Sequence, residues 1–321
     1  MSRKARRNHI WLSVLVGLWL FCGRSPYGEP ARQAITDRIG RTVYIPAHGP
    51  QRVVAMNPSI VEFMVFLGVA DRLIGVSEFT DDIEQVAQLP RVGGPFTPNF
   101  EAIVALEPDL VILDRGHNPR DLAQFLDRQR ISYFVLRSEH LDDIRINLVL
   151  MGRLFHRMHR VRRWQSRWHR LLTCLQRHPF THPPRIFFLL SIRPIFSIGR
   201  GSFILELLRR IGFNVVTARI DQPWPQVNPE MVVAMDPDYI WIPENIAPAA
   251  QVEFTRNPMW SSLRAVRNRH IVSITQRILR PSPFLLDIAL DLVRRFHPQS
   301  MAVHTCMTSA QEERAHETQS P

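Results

Sequence analysis

Two stretches of the chain repeat one another. "FEAIVALEPDLVIL" runs from Phe100 to Leu113, and "PEMVVAMDPDYIWI" from Pro229 to Ile242. Each reads acid, apolar stretch with alanine, acid, Pro-Asp, then an apolar run rich in β-branched or aromatic residues. That order predicts a short helix stopped before a proline, a tight turn and a buried strand. Asn99 and Asn228 stand where each helix needs a cap, and Pro229 suits a first turn. A second pair of features precedes the first. "NPSIVEFMVFLG" (57–68) and "GSFILELLRRIG" (201–212) each read as a helix with one glutamate among apolar residues, six places before a glycine. These glutamates are Glu62 and Glu206. Chance could align two helix-strand units, but it explains poorly why both features recur in the same order. The expected fold class is α/β: two similar α/β lobes.

The connection between the lobes, Leu141 to His178, has no proline and one glycine, Gly152. Its apolar residues recur at helical spacing from Ile144 to Val161. One long spanning helix is expected, roughly 50 Å if unbroken, and such a strut would limit hinge motion between the lobes. The arginines along it read as a solvated face. The expected organisation is a signal peptide over 1–30, an N-terminal lobe over 35–140, the spanning helix over 141–178, a C-terminal lobe over 183–298 and a disordered polar tail over 299–321. "QRVVAMN" and "PPRIFFLLS" supply the first strand of each lobe.

Arg3, Lys4, Arg6 and Arg7 precede the apolar run Ile10 to Phe21, which is too short to span a bilayer comfortably. This predicts export to the periplasm. Cys22 is a weak candidate for lipidation, because the bulky Phe21 stands where such signals want a small residue. A bridge between Cys174 and Cys306 has no support in the sequence. The net charge of +11 is almost all arginine, since Lys4 is the only lysine, and it forms no designed patch for nucleic acid. No phosphate-cradling glycine loop or G-x-S-x-G elbow is present. Asp81-Asp82 and Asp142-Asp143 read as helix-start charges. An exported two-lobed transferase is therefore the weaker reading, and no enzyme is expected. His156, His159 and His169 share the helical stretch without a carboxylate partner, so no metal site is expected.

The order of motifs resembles one family. "RVVAMNPSIVEFMVFLGVADRLIGVS", "LPRVGG" before "EAIVALEPDLVI", "GSFILELLRRIG", "PWPQVNPEMVVAMDPDYIWI", "LRAVRNRHIVSI" and "RPSPFLLDIALDLVRRFHP" are similar to the class III periplasmic substrate-binding proteins of ABC importers. The resemblance covers Ile35 to Pro298, and "PWPQV" and "RPSP" lie closest to the cobalamin-binding branch. It implies a monomeric receptor that captures cobalamin or a related corrinoid between its lobes and delivers it to a membrane permease. An iron-siderophore or haem receptor on the same fold is the alternative. The ligand is cargo, and no resident cofactor is expected.

The loops Gly93 to Asn99 and Gln222 to Asn228 each enter a repeat helix, and each carries an aromatic toward the cleft, Phe96 and Trp224. Flat rings suit a planar macrocycle. The resemblance adds Phe79, where the cobalamin branch tends to place a tyrosine, and Arg280, which matches a cleft arginine. It also implies that a surface glutamate on the first helix of each lobe docks onto permease arginines, and Glu62 and Glu206 match those positions. Ser59 to Glu62 can equally form a capping box, whereas Ser202 to Glu206 is one residue too long for it.

Overall fold

The structure, a computed structural model, describes residues 32–296 apart from 95, 117–119 and 178–179. The expected signal peptide, Cys22, Cys306 and the polar tail lie outside the described residues. No helix among those described is long and apolar enough to cross a membrane.

The N-terminal lobe starts with an antiparallel hairpin, β1 (Arg32–Thr36) and β2 (Thr42–Pro46). Four parallel strands follow: β3 (Val53–Ala55), β4 (Leu73–Val76), β5 (Leu110–Asp114) and β6 (Tyr133–Leu136). Helices α1 (Pro58–Leu67), α2 (Phe100–Ala105) and α3 (Arg120–Gln129) connect them. The sheet order is β4-β3-β5-β6. β5 is buried at all positions, as a central strand must be when helices cover both faces.

Two helices lead onward, α4 (Leu141–Leu154) and α5 (Met158–Arg177). The C-terminal lobe then has β7 (Arg185–Phe188), a short hairpin of β8 (Ser191–Ile192) and β9 (Ile195–Phe196), α6 (Phe203–Arg210) and β10 (Asn214–Val215). α7 (Pro229–Met235), β11 (Tyr239–Pro243), α8 (Ala247–Arg256), α9 (Pro258–Ser262), α10 (Arg264–Arg267) and β12 (Ile271–Ile274) complete its sheet. A 3-10 turn, Gln276–Leu279, leads to α11 (Leu285–Phe296). This second parallel sheet is ordered β10-β7-β11-β12. Numbered within each lobe, both sheets run second, first, third, fourth. The repeat in the sequence is thus a repeat of topology, with α2-β5 and α7-β11 as the equivalent units.

The local chemistry of the repeat is as the sequence reads. Asn99 Oδ1 accepts the Ala102 N–H at 3.0 Å, and Asn228 Oδ1 accepts the Met231 N–H at 2.8 Å. Ser202 Oγ accepts the Leu205 N–H at 3.2 Å to open α6. At α1 the cap is Asn57, whose Oδ1 accepts the Ile60 N–H at 3.0 Å; Ser59 lies inside the helix and makes no capping box. Gly68, at φ 68°, closes that helix.

The single spanning helix is corrected to two. α4 and α5 run for about 21 and 30 Å and are separated by a turn at Phe155 to Arg157. His156 is left-handed at φ 56°, and the Arg157 N–H returns to the Gly152 carbonyl at 2.8 Å. Packing explains the turn. Leu154, Phe155, Val161, Trp164 and Trp168, from both sides of the turn, are all buried in one core. Gly152 permits the close approach, because a Cβ there would stand 2.3 Å from Val161 Cγ2. That core also holds residues of α1, α6 and α11, so both lobes share it. Trp164 stacks on Trp168 and donates its indole N–H to the Pro283 carbonyl at 3.1 Å. Two further clusters cover the outer faces of the two sheets. Cys174 on α5 is disulfide-bonded, a pairing for which the sequence offered no support.

Candidate functional site

In a sheet of this order the first and third strands are neighbours whose connections leave in opposite directions, which opens a crevice at their carboxyl ends. β3 leads there to Asn57, Pro58 and Ser59 at the start of α1, and β5 ends there at Asp114. Opposite them stand Phe203, at the start of α6, with Trp224 and Arg280. Together these walls enclose a cavity of ≈ 380 Å³ between the lobes, within the range of small-molecule sites.

Trp224 is held firmly. The Ser197 N–H binds the Pro225 carbonyl and the Gly199 N–H binds the Pro223 carbonyl, both at 3.0 Å. Gly199 is required for that approach, since a Cβ would meet the Gln222 carbonyl oxygen at 2.3 Å. The indole packs edge-on against Phe203 at 6.2 Å and remains 44% exposed. Trp224 is therefore not a core residue but a rigid, half-exposed ring in the cavity wall.

The other expected ligand residues divide. Arg280 lines the cavity, whereas Phe79 and Phe96 do not. Phe79 is 66% exposed at φ 67°, a conformation costly for a residue with a Cβ, and Phe96 is 70% exposed on the neighbouring turn. The two loops are joined by the Glu78 N–H to the Gly93 carbonyl at 3.0 Å. Phe79 is tied to the cavity wall through its backbone, because its carbonyl accepts from Arg280 Nη2 at 3.0 Å.

Arg280 is also fully engaged with carboxylates. Its Nη1 donates to Asp82 Oδ2 at 2.8 Å and to Glu62 Oε1 at 3.1 Å, and its Nη2 to Asp82 Oδ1 at 2.7 Å. Arg277 Nε donates to the same Glu62 oxygen at 2.9 Å. Burial pushes the Asp82 carboxyl up, but the hydrogen bonds and charge of Arg280 outweigh it and hold it below the ordinary carboxylate value. Burial acts to lower Arg280, and its bonds to Asp82 and the charge of Glu62 raise it further above the usual arginine range. Asp82 therefore works as an arginine partner, not as a helix-start charge.

Glu62 corrects the surface-glutamate expectation. It is 1% exposed. α1 turns it toward the C-terminal lobe, where it accepts hydrogen bonds from Arg277 and Arg280. Glu206 on α6 reaches the other way. Its Oε2 accepts the Leu141 N–H and its Oε1 meets His140 Nδ1, both at 2.9 Å, so it satisfies the start of α4 and is half-buried there. Both matched glutamates thus join parts of the molecule distant in sequence. The exposed acid pair that sequence reading passed over is Glu101 and Glu230. They occupy equivalent places, in the first turns of α2 and α7. Their signal was the acid that opens each repeat. Among the described residues, no group of three or more His, Cys, Asp or Glu side chains is placed to hold a metal.

The family described as periplasmic binding protein matches residues 53–278. The vitamin B12-binding protein of Vibrio cholerae is 28% identical over 247 residues, covering 74% of this chain and 86% of that protein. Among solved structures, periplasmic vitamin B12 binding protein BtuF of Vibrio cholerae superposes with a TM-score of 0.64 at 26% identity, over 82% of this chain and 98% of that one. The periplasmic heme binding protein HutB of Vibrio cholerae superposes with a TM-score of 0.67 at 20% identity, over 75% and 97% of the two chains. That last likeness is one of fold alone.

Proposed function

The chain belongs to the periplasmic binding protein family, and from that premise we propose that it captures a corrinoid, cobalamin first, and hands it to the permease of an ABC importer. The observation that carries the choice of ligand is Trp224. A rigid indole in the wall of a cleft between two lobes offers a flat, low-entropy surface to a planar macrocycle. The named function of the relatives at 26–28% identity supports the same choice. Phe79 and Phe96 stand on adjacent loops of the facing lobe and add apolar area once a ligand larger than the cavity extends past its mouth.

Family members of this kind work with a transmembrane permease. The docking acids are Glu101 and Glu230 in this proposal, in place of Glu62 and Glu206. Two exposed carboxylates, one per lobe and in equivalent positions, give two-point registration onto basic side chains. Because α4, α5 and the shared core couple the lobes, the spacing of that pair is stable, and ligand closure is small.

Absorbance of the protein purified from its native periplasm tests the ligand. A corrinoid spectrum supports the proposal. A haem or ferric-chelate spectrum replaces it with the corresponding receptor.

A further inference from the structure

We infer that the cleft selects against anionic chelates and accepts a ligand whose rim presents hydrogen-bond donors, with Glu139 as the specificity-determining residue. The inference deepens the proposed function and rests on its assignment of the cleft as the ligand site, not on the corrinoid itself.

Arg280 is the one cationic side chain among the described residues that line the cavity. It is only 11% exposed, and both its terminal nitrogens are committed to Glu62, Asp82 and the Phe79 carbonyl. Arg277, beside it, is bound to Glu62 and lies over the Phe284 ring at 5.1 Å. A ligand carboxylate entering here finds no free guanidinium.

The facing wall carries acceptors instead. Glu139 lines the cavity and is exposed. Its backbone N–H donates to Asp143 at 3.1 Å, and among the described residues its carboxylate makes no ion pair. Arg137, which feels the Glu139 charge, is itself bound to Asp143 at 3.1 Å. Asp114, nearly buried in the same wall, is already engaged, accepting the Gly116 N–H at 3.0 Å. Ser59 and Ser138 add hydroxyls. Amide N–H groups on a ligand rim can donate to these acceptors in charge-assisted bonds. Propionates, catecholates or peripheral carboxylates would face like charge in a partly desolvated site.

The test keeps the macrocycle constant and changes its rim. Dicyanocobinamide carries amides, and dicyanocobyrinic acid carries carboxylates on the same corrin ring. Calorimetry on the full mature chain should show the acid form weaker by at least about thirtyfold, and the gap should narrow as salt screens the site. Glu139→Arg should narrow it by about tenfold, with Glu139→Gln between, because one like charge is removed and then reversed. Glu139 is exposed, so both variants should keep the wild-type melting temperature. An acid form within threefold of the amide form, or a ratio unmoved by Glu139→Arg, overturns the inference and leaves corrinoid capture standing. If the wild type binds neither corrin, the proposed function fails, and haem against the uncharged ferric hydroxamate ferrichrome decides the inference. Preference for ferrichrome upholds it. Preference for haem, or binding of neither, overturns it.

Discussion

Glu62→Gln should destabilise the protein by about 2–3 kcal/mol. Removing one partner from a buried ion pair costs about 3–5 kcal/mol, because the other charge stays desolvated. Two observations reduce that figure here. Arg277 is 39% exposed and can turn to water, and Arg280 keeps its paired bonds to Asp82. Gln also retains a carbonyl acceptor for the shared Oε1 position. One term works against the wild type: Glu62 Oε2 is buried with no hydrogen-bond partner, so the native carboxylate is only half satisfied. Urea unfolding measures the outcome. With a slope of about 3 kcal/mol/M, the upper end for small proteins, the midpoint should fall by roughly 0.7–1 M with the slope unchanged. A double-mutant cycle with Arg280→Ala should return a coupling of about 1–3 kcal/mol. A midpoint lowered by less than about 0.2 M, which is under 1 kcal/mol on that slope, would refute the clasp and restore Glu62 as a surface residue. A lowered slope would instead show that the lobes unfold separately.

Trp224→Ala should weaken corrinoid binding by about 1–3 kcal/mol in calorimetry, while leaving the melting temperature nearly unchanged; undiminished affinity would remove the indole from the site. Glu101→Ala combined with Glu230→Ala should leave ligand affinity intact and impair uptake in cells, and normal uptake would exclude the pair from docking. Asp82 is held below its ordinary value of 3.8, so its contribution is complete above that pH and is lost as the pH falls through its lower folded value. The melting-temperature difference between wild type and Asp82→Asn should therefore be constant near neutrality and shrink below about pH 4; a difference that persists unchanged in acid would contradict the Arg280 pairing. Gly152→Ala should cost about 1–3 kcal/mol through overpacking against Val161, and Val161→Ala should recover part of it in thermal unfolding.

What the sequence made legible was local. Asn99 and Asn228 mark their helices because a cap, a short apolar run and Pro-Asp all lie within fifteen residues, and the structure follows them closely. The two-lobe topology was readable because those signals occur twice. Trp224 was readable because the prolines on either side restrict its loop. What escaped depends on distance along the chain. Glu62 meets Arg277 and Arg280 across separations of 215 and 218 residues, and no local pattern distinguishes a buried glutamate from a docking one. Apolar spacing from Ile144 to Val161 continues through the turn at His156, because both helices bury the same face in one core. Periodicity reports that face and does not report the bend. Arg280 does line the cavity, but its partners at Asp82 and Glu62, distant in sequence, change what it can offer a ligand.

Titration of cyanocobalamin into the purified mature protein, followed by calorimetry, tests corrinoid capture most directly. The account predicts a saturable heat with one ligand per chain, accompanied by quenching of tryptophan emission that Trp224→Ala reduces. No heat with cyanocobalamin, alongside saturable heat with haem or a ferric siderophore, would contradict it.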